Sequence, residues 1–435
     1  MLLFAGPMIL GNLLQQCYNI VDMLIVGRAL GAGALAAVGS AYSLMTFLTL
    51  VLIGMCMGSG SLFSYSIGKR DTARLQYEMT ASFSFIGIVT IVMNIVVFVC
   101  MKPILNILQI PEDIYGMMQE YVWYIFWGIF FVFLYNYFSF LLRAAGDSVV
   151  SLVFLGISSG LNIVLDLVLI IVFHLGAAGA AYATVIAQGV SALLCLVYII
   201  KKVPILKLDR WDFKLDGHLV RQQLAIGFPM ALQYSITAIG AMMVQAALNV
   251  LGSVHVAAFT AANKIEQVAT QVYVALGTTM ATYCAQNMGA GKVKRISRGF
   301  RATTIMGSIY SVVFGVLVFF FGNMLTGLFV SENLDQIVGL VDIYMKCVAL
   351  FFIPLNVVNV YRNGIQGMGY GFLPMTAGIA ELAGRGLTAV VASHYKSYLG
   401  ICLASPVAWI FASALLLVMY FGIMNKYKKA GNFRE

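Results

Sequence analysis

Charge is what this sequence has least of. Only 10% of its 435 residues are Asp, Glu, Lys or Arg, against roughly a quarter in a soluble globular chain, and the mean hydropathy is +0.93. That excludes an ordinary soluble domain. Strand-like alternation is also lacking, and the apolar runs are far longer than the roughly 10-residue segments of outer-membrane barrels. Helices remain, because a helix satisfies its own backbone hydrogen bonds in lipid. The seven cysteines stand singly in apolar segments with no CxxC pair, so neither a disulfide framework nor a zinc site is expected. Four histidines, His174, His218, His255 and His394, are far apart and lack ligand spacing. HExxH and GxGD-type motifs are absent, which argues against a membrane-embedded enzyme. The first apolar segment has no charged n-region and no small-residue cleavage site, so it reads as a retained span and not as a signal peptide.

What is present is apolar length. Runs of about 20 residues predict twelve spanning helices, at Leu3–Val26, Ser40–Ile67, Ala81–Met101, Tyr115–Leu141, Val149–Phe173, Ala177–Ile200, Leu219–Val250, Ala257–Cys284, Ala302–Leu325, Ile337–Tyr361, Leu373–Ser393 and Leu399–Ile423. Basic residues crowd the even-numbered connections, among them Lys69, Arg70, Arg74, Lys201, Lys202, Arg295, Arg298 and Arg362. The opposite side holds little beyond Arg28, Lys102, Lys346 and Lys396. The positive-inside bias then predicts that both termini are cytoplasmic. The net charge of +9 is therefore a topological signal, and no nucleic-acid partner is expected.

The chain also reads as a duplication. "ALGAGALAAVGSAYSL" answers "VLGSVHVAAFTAANKI", aligning Leu30–Gly31 with Leu251–Gly252, and "AGPMIL" answers "GFPMAL", aligning Pro7 with Pro229. Each unit has an even number of helices, so both insert the same way up, as in parallel-repeat transporters. The expected divisions are a six-helix lobe over 1–200, a basic linker over 201–218, a second six-helix lobe over 219–425 and a tail over 426–435.

Against this background, buried acids stand out. On the first helix Asn12, Gln15, Asn19 and Asp22 recur at three- and four-residue spacing, which places them on one face. Asp22 falls near 7 Å from the outer end at about 1.5 Å per residue. On the fifth helix Ser158, Asn162 and Asp166 share a face, and Thr184 with Gln188 and Ser191 do so on the sixth. Asp166 and Thr184 both lie roughly 10 Å deep. A carboxylate in hydrocarbon is costly unless it faces a cavity or a partner. Convergence of these groups would make an oxygen-rich nook suited to Na⁺ or to a shared proton. The alternative is hydrogen-bonded packing between helices.

The second half lacks that set. Tyr234 and Gln245 on the seventh helix, and Lys264 and Glu266 on the eighth, are candidates for a substrate cavity, although the two charged residues, two apart, are expected on different sides of their helix. Glu381 and Arg385, at i and i+4, read as a self-neutralising pair. Gly54 and Gly58 in "GMCMGSGSL" have the spacing of close helix packing. The 23 methionines and 29 phenylalanines suit a cavity for varied apolar ligands, and suit lipid contact equally well.

"YNIVDMLIVGRALGAGALAAVG", with "LRAAGDS", "LNIVLDLVLI", "GAAGAAYATVIAQ" and "AANKIEQ", resembles the multidrug and toxic compound extrusion (MATE) family, in particular its prokaryotic DinF-like branch. The resemblance runs along essentially the whole chain. It implies an all-α polytopic protein of twelve transmembrane helices in two lobes set in a V. It also implies export of organic, often cationic and amphipathic compounds by antiport against H⁺ or Na⁺. The family's first-lobe cation site maps onto Asp22, Asn162, Asp166 and Thr184, with Gln15, Asn19 and Gln188 as supporting polar groups. Some branches place a functional acid on the seventh helix, where this chain has none. No cofactor beyond the coupling ion is expected, and the protein is expected to act as a monomer. The nearest alternative is a lipid-linked precursor flippase of the same superfamily. Such a protein should present several deep basic residues to a pyrophosphate, whereas here only Lys264 and Arg385 lie deep in the sequence reading.

Overall fold

A computed structural model describes residues 1–107, 112–207, 217–326 and 334–431. Among the described residues there are helices and no strand. The first lobe runs through α1 (Leu2–Leu30), α2 (Ala32–Lys69), α3 (Thr72–Val99), the short α4 (Met101–Ile107), α5 (Glu112–Trp127), α6 (Ile129–Ala144), α7 (Val149–Asp166), a π-helical turn over Leu167–Val172, and α8 (Gly176–Lys202). Then follow α9 (Gly217–Asn249), α10 (Ser253–Gly289), α11 (Val293–Thr326), α12 (Leu334–Leu350), α13 (Phe352–Gly367), α14 (Phe372–His394), α15 (Tyr398–Cys402) and α16 (Ala404–Lys429).

Each of the twelve expected spans is met by one helix or by two in succession. The fourth and tenth are broken, α5 to α6 by 41° and α12 to α13 by 51°. Among the described residues eight helices are long and apolar enough to cross a membrane, or ten if each bent pair is one span. The two long helices that fall short are α10 and α14. They carry Lys264, Glu266, Glu381 and Arg385, so their low apolarity marks the polar interior of the second lobe. Large apolar side chains such as Ile91, Ile95, Val312, Val316, Leu387 and Val391 stand exposed, as lipid contact requires.

The turns establish the duplication at the level of backbone. Gly31 (φ 86°, ψ −178°) precedes α2 and Gly252 (φ 95°, ψ 170°) precedes α10. Both occupy a region that is essentially closed to side chains. Arg70 and Gly291 are left-handed at the next turn, Gly146 and Gly369 at the one after, and His174 and Lys396 at the last. The hydrogen bonds repeat with them: Arg70 and Asp71 amides bond to Ile67 and Ser66 carbonyls, and Gly291 and Lys292 amides bond to Met288 and Asn287 carbonyls. These are the bond pairs that close a helix on a left-handed residue.

By internal contacts the chain divides into Leu2–Ala231 and Leu232–Glu435, with Met1 counted in the latter. The division thus cuts α9, whereas the sequence suggested the basic segment 201–218. Residues 208–216 of that segment, and 432–435 of the tail, lie outside the described residues. The physical reason is the seam between α2 and the first part of α9. A Cβ on Gly58 would lie 2.6 Å from Gly227 Cα, and one on Gly54 would lie 2.7 Å from the Ala231 amide nitrogen. Only a glycine pair allows such an approach. Beside it, Gln223 donates to the Met55 carbonyl at 3.2 Å and to Ser59, and accepts from Ser82 at 2.9 Å. Buried Glu78 accepts from Ser66 and from Arg74, each at 2.7 Å.

Candidate functional site

α1 lies on α7 and α2, and α7 lies on α8. This brings Asp22, Asp166, Asn162 and Thr184 into one neighbourhood of the first lobe. Asp166 is the last residue of α7, and the π-helical turn begins directly after it. A π turn shifts the register of the residues around it, and such turns recur at functional positions. Asp166 is fully buried at 0% exposure, Asn162 one turn earlier is at 2%, and Asp22 is half-buried. The Asp22 and Asp166 carboxyl groups are close enough for each to feel the other's charge. Asp22 Oδ1, both Asp166 oxygens and Asn162 Oδ1 are buried with no donor. Asn162 Nδ2 reaches Thr184 Oγ1 at 3.5 Å, and that hydroxyl donates to the Ala180 carbonyl at 3.1 Å.

Two neighbouring carboxylates repel unless a proton or a cation stands between them. The donor-free oxygens are all acceptors, which is the donor set a hard cation takes. The set consists of two carboxylates, an amide oxygen and a hydroxyl, and among the described residues no group of three or more His, Cys, Asp or Glu that could hold a metal ion is found. Tyr121 on α5 is buried within the electrostatic reach of both acids. The sequence reading missed it, because it lies in the uniformly aromatic "YVWYIFW". Of the supporting groups, Gln188 leaves a buried, partnerless Oε1, Asn19 is half-buried and Gln15 is exposed. No hydrogen bond among the described residues ties Gln15 or Asn19 to either acid. Their place on the Asp22 stripe gives them the right side of the helix without bringing them into the nook.

The second lobe buries a different cluster. Glu381 Oε1 accepts from Arg385 Nη2 at 2.8 Å, and Glu381 Oε2 accepts from Arg362 Nη2 at 2.6 Å. The expected Glu381–Arg385 pair is therefore a triad. Arg362 does not sit in a connection as the charge count suggested: α13 continues past it to Gly367, and it is buried at 7% exposure. Gln366 donates to Gln233 at 2.9 Å, and Arg385 Nη1 approaches the Thr237 carbonyl at 3.4 Å, so α9, α13 and α14 are held together by polar groups. Lys264 and Glu266, expected on different sides, both line one cavity of ≈ 400 Å³ with Gln245, Phe259, Arg385 and Trp409. Tyr344 donates to Glu266. Tyr234 is not on this wall and lies within reach of the Arg362 charge.

The MatE family model matches residues 7–168 and 225–391, which is more than half of the sequence and includes both Asp22 and Arg385. The probable multidrug resistance protein YpnP of Bacillus subtilis (strain 168) is 32% identical over 369 residues, covering 84% of this chain and 81% of that protein. The probable multidrug resistance protein YoeA of the same organism is 28% identical over 440 residues, covering 99% and 94%. In fold, the Vibrio cholerae MATE transporter VcmN in its bent form superposes with a TM-score of 0.90 at 19% identity, covering 99% of this chain and 97% of that one.

Proposed function

The chain belongs to the MatE family, and on that footing we propose that it is a secondary antiporter that exports organic, often cationic and amphipathic compounds in exchange for H⁺ or Na⁺. It is a multi-pass membrane transporter and not an enzyme. The proposal adds the coupling ion, its site and a cell-membrane orientation with both termini cytoplasmic.

One observation carries the coupling reading: Asp22 and Asp166 are near enough to interact electrostatically, and Asp22 Oδ1, both Asp166 oxygens and Asn162 Oδ1 are buried with no donor. Such a pair changes its mechanical state when a positive ion arrives. Occupied, it draws α1 onto α7; vacant, it pushes them apart. α1 is free to respond, since only 11% of its spanning window is buried against 61% for α2. In the proposed cycle the ion enters from outside, α1 shifts, and the affinity for the organic compound falls so that it leaves outward. The ion then dissociates on the cytoplasmic side and cytoplasmic substrate binds again. Each ligand biases the cycle only through its different affinity for the two states.

The test is dye efflux in reconstituted vesicles with pH and Na⁺ gradients imposed separately. Uphill efflux under one gradient, lost in Asp166→Asn and in Asp22→Asn with the fold retained, is the expected result. Unimpaired gradient-driven efflux in both variants would remove the assigned site. Conduction without uphill accumulation would make the protein a channel.

A further inference from the structure

The cavity of the second lobe has a chemistry that the coupling site does not explain. It is formed by α9, α10, α14 and α16, and its volume of ≈ 400 Å³ is that of a small-molecule site. Lys264 lines it from the first third of α10, exposed, with no ion pair or hydrogen bond among the described residues. A lone ammonium within a membrane span is a functional group by default. Opposite stands Arg385, 6% exposed, whose Nε is buried without a partner. Its Nη2 binds Glu381, but that carboxylate is shared with Arg362. Glu266 also lies on the wall, partly committed to the Tyr344 hydroxyl. Of the five ionisable groups here, Lys264, Arg362 and Arg385 are basic and Glu266 and Glu381 acidic, leaving one positive charge in excess. Phe259 and Trp409 supply an apolar flank.

We propose that this cavity binds a small organic anion, a carboxylate carried on an aromatic body, with Lys264 and Arg385 holding the carboxylate and Phe259 and Trp409 flanking the ring. The anion brings the local charge to zero and lies against the ammonium of Lys264 and the guanidinium of Arg385 on the cavity wall, where charge-assisted bonds are of the stronger kind. Glu266 acts in the opposite sense. It repels the anion and sets how tightly it is held, so that the ligand is gripped weakly enough to leave. The proposal rests on the export reading only in taking this ligand as cargo; binding itself does not depend on it.

The experiment is equilibrium dialysis of the purified full-length protein in detergent against 2-naphthoate and against its methyl ester, which has the same ring and no charge. The wild-type protein is expected to hold the acid about tenfold more tightly than the ester, and Lys264→Gln, a change at an exposed side chain, to reduce that ratio to about two or less. Glu266→Gln is expected to raise the ratio about threefold. A wild-type ratio of one, no binding of either probe, or a ratio that Lys264→Gln leaves intact would overturn the proposal. Should gradient-driven efflux fail while the Lys264-dependent preference holds, the anion site stands and the export reading falls.

Discussion

At one position of the repeat the first lobe carries Asn162 and the second carries Arg385. Their separation, 223 residues, equals that between the left-handed turn residues Gly146 and Gly369. At the same separation Ser158 corresponds to Glu381 and Asp166 to Ala389. Around Asn162 stand two acids with donor-free oxygens. Around Arg385 stand a shared carboxylate, a second guanidinium and a free ammonium. The two lobes therefore keep the same turns and the same broken spans while burying opposite signs of charge. Turn geometry is fixed by backbone and tolerates no drift. A buried charge needs only a local partner, so one helix register can sit among acids in one lobe and among a basic cluster in the other.

The largest effect that tests this contrast is functional. Asp166→Asn or Asp22→Asn should reduce gradient-driven dye efflux to the level of empty vesicles, whereas Lys264→Gln should leave the dependence on the gradient in place. Loss of gradient dependence in Lys264→Gln would assign ion coupling to both lobes and end the division of labour.

Stability should separate the lobes next, with opposite signs. Glu381→Ala leaves Arg362 and Arg385 buried without their acceptor, and breaking a buried ion pair in this way costs about 3–5 kcal/mol. Asp166→Asn removes one of two like charges, so in Na⁺-free buffer at high pH, where the pair holds neither proton nor Na⁺, it should stabilise by about 1 kcal/mol. Unfolding of the purified variants in detergent reads both. Destabilisation of similar size in the two lobes would show that the acid pair is a packing contact after all.

Much of this was legible in the sequence because period and length are local. Four-residue spacing placed Asn162 one turn before Asp166, and a common depth pointed to Thr184; the helices then brought them together. Arg362 was misplaced because a hydropathy window stops where a charge appears, while the helix continues to Gly367. Tyr121 and Tyr344 were invisible because nothing distinguishes a tyrosine that faces an acid from its aromatic neighbours until another helix is packed beside it. The cut within α9 was hidden for a similar reason. Gly54 and Gly58 announced a close partner, but spacing does not say which helix supplies Gly227.

That seam gives the third test. At the 221-residue separation of Gly31 from Gly252, Gly58 corresponds to Thr279, whose hydroxyl bonds its own helix at the Ala275 carbonyl. Gly58→Ala forces a Cβ against the α9 backbone and should cost about 3 kcal/mol. Thr279→Ala removes a hydroxyl that bonds the Ala275 carbonyl and forces no new atom against a neighbour, so it should cost less, about 1 kcal/mol. Similar losses at both positions would mean that α9 contributes nothing special to the first lobe.

The smallest expected difference is none at all, and it addresses the shared backbone directly. Gly31→Ala and Gly252→Ala each place a Cβ in open space, since neither meets an atom within 4 Å. Only the backbone strain of φ 86° and φ 95° with extended ψ is then left. Such strain is worth about 1–2 kcal/mol when no clash adds to it. Because the two glycines do the same work before α2 and before α10, the two variants should lower the unfolding midpoint by the same amount. If one costs several times the other, the turns are alike in shape but not in load, and the equivalence of the lobes would extend no further than their dihedral angles.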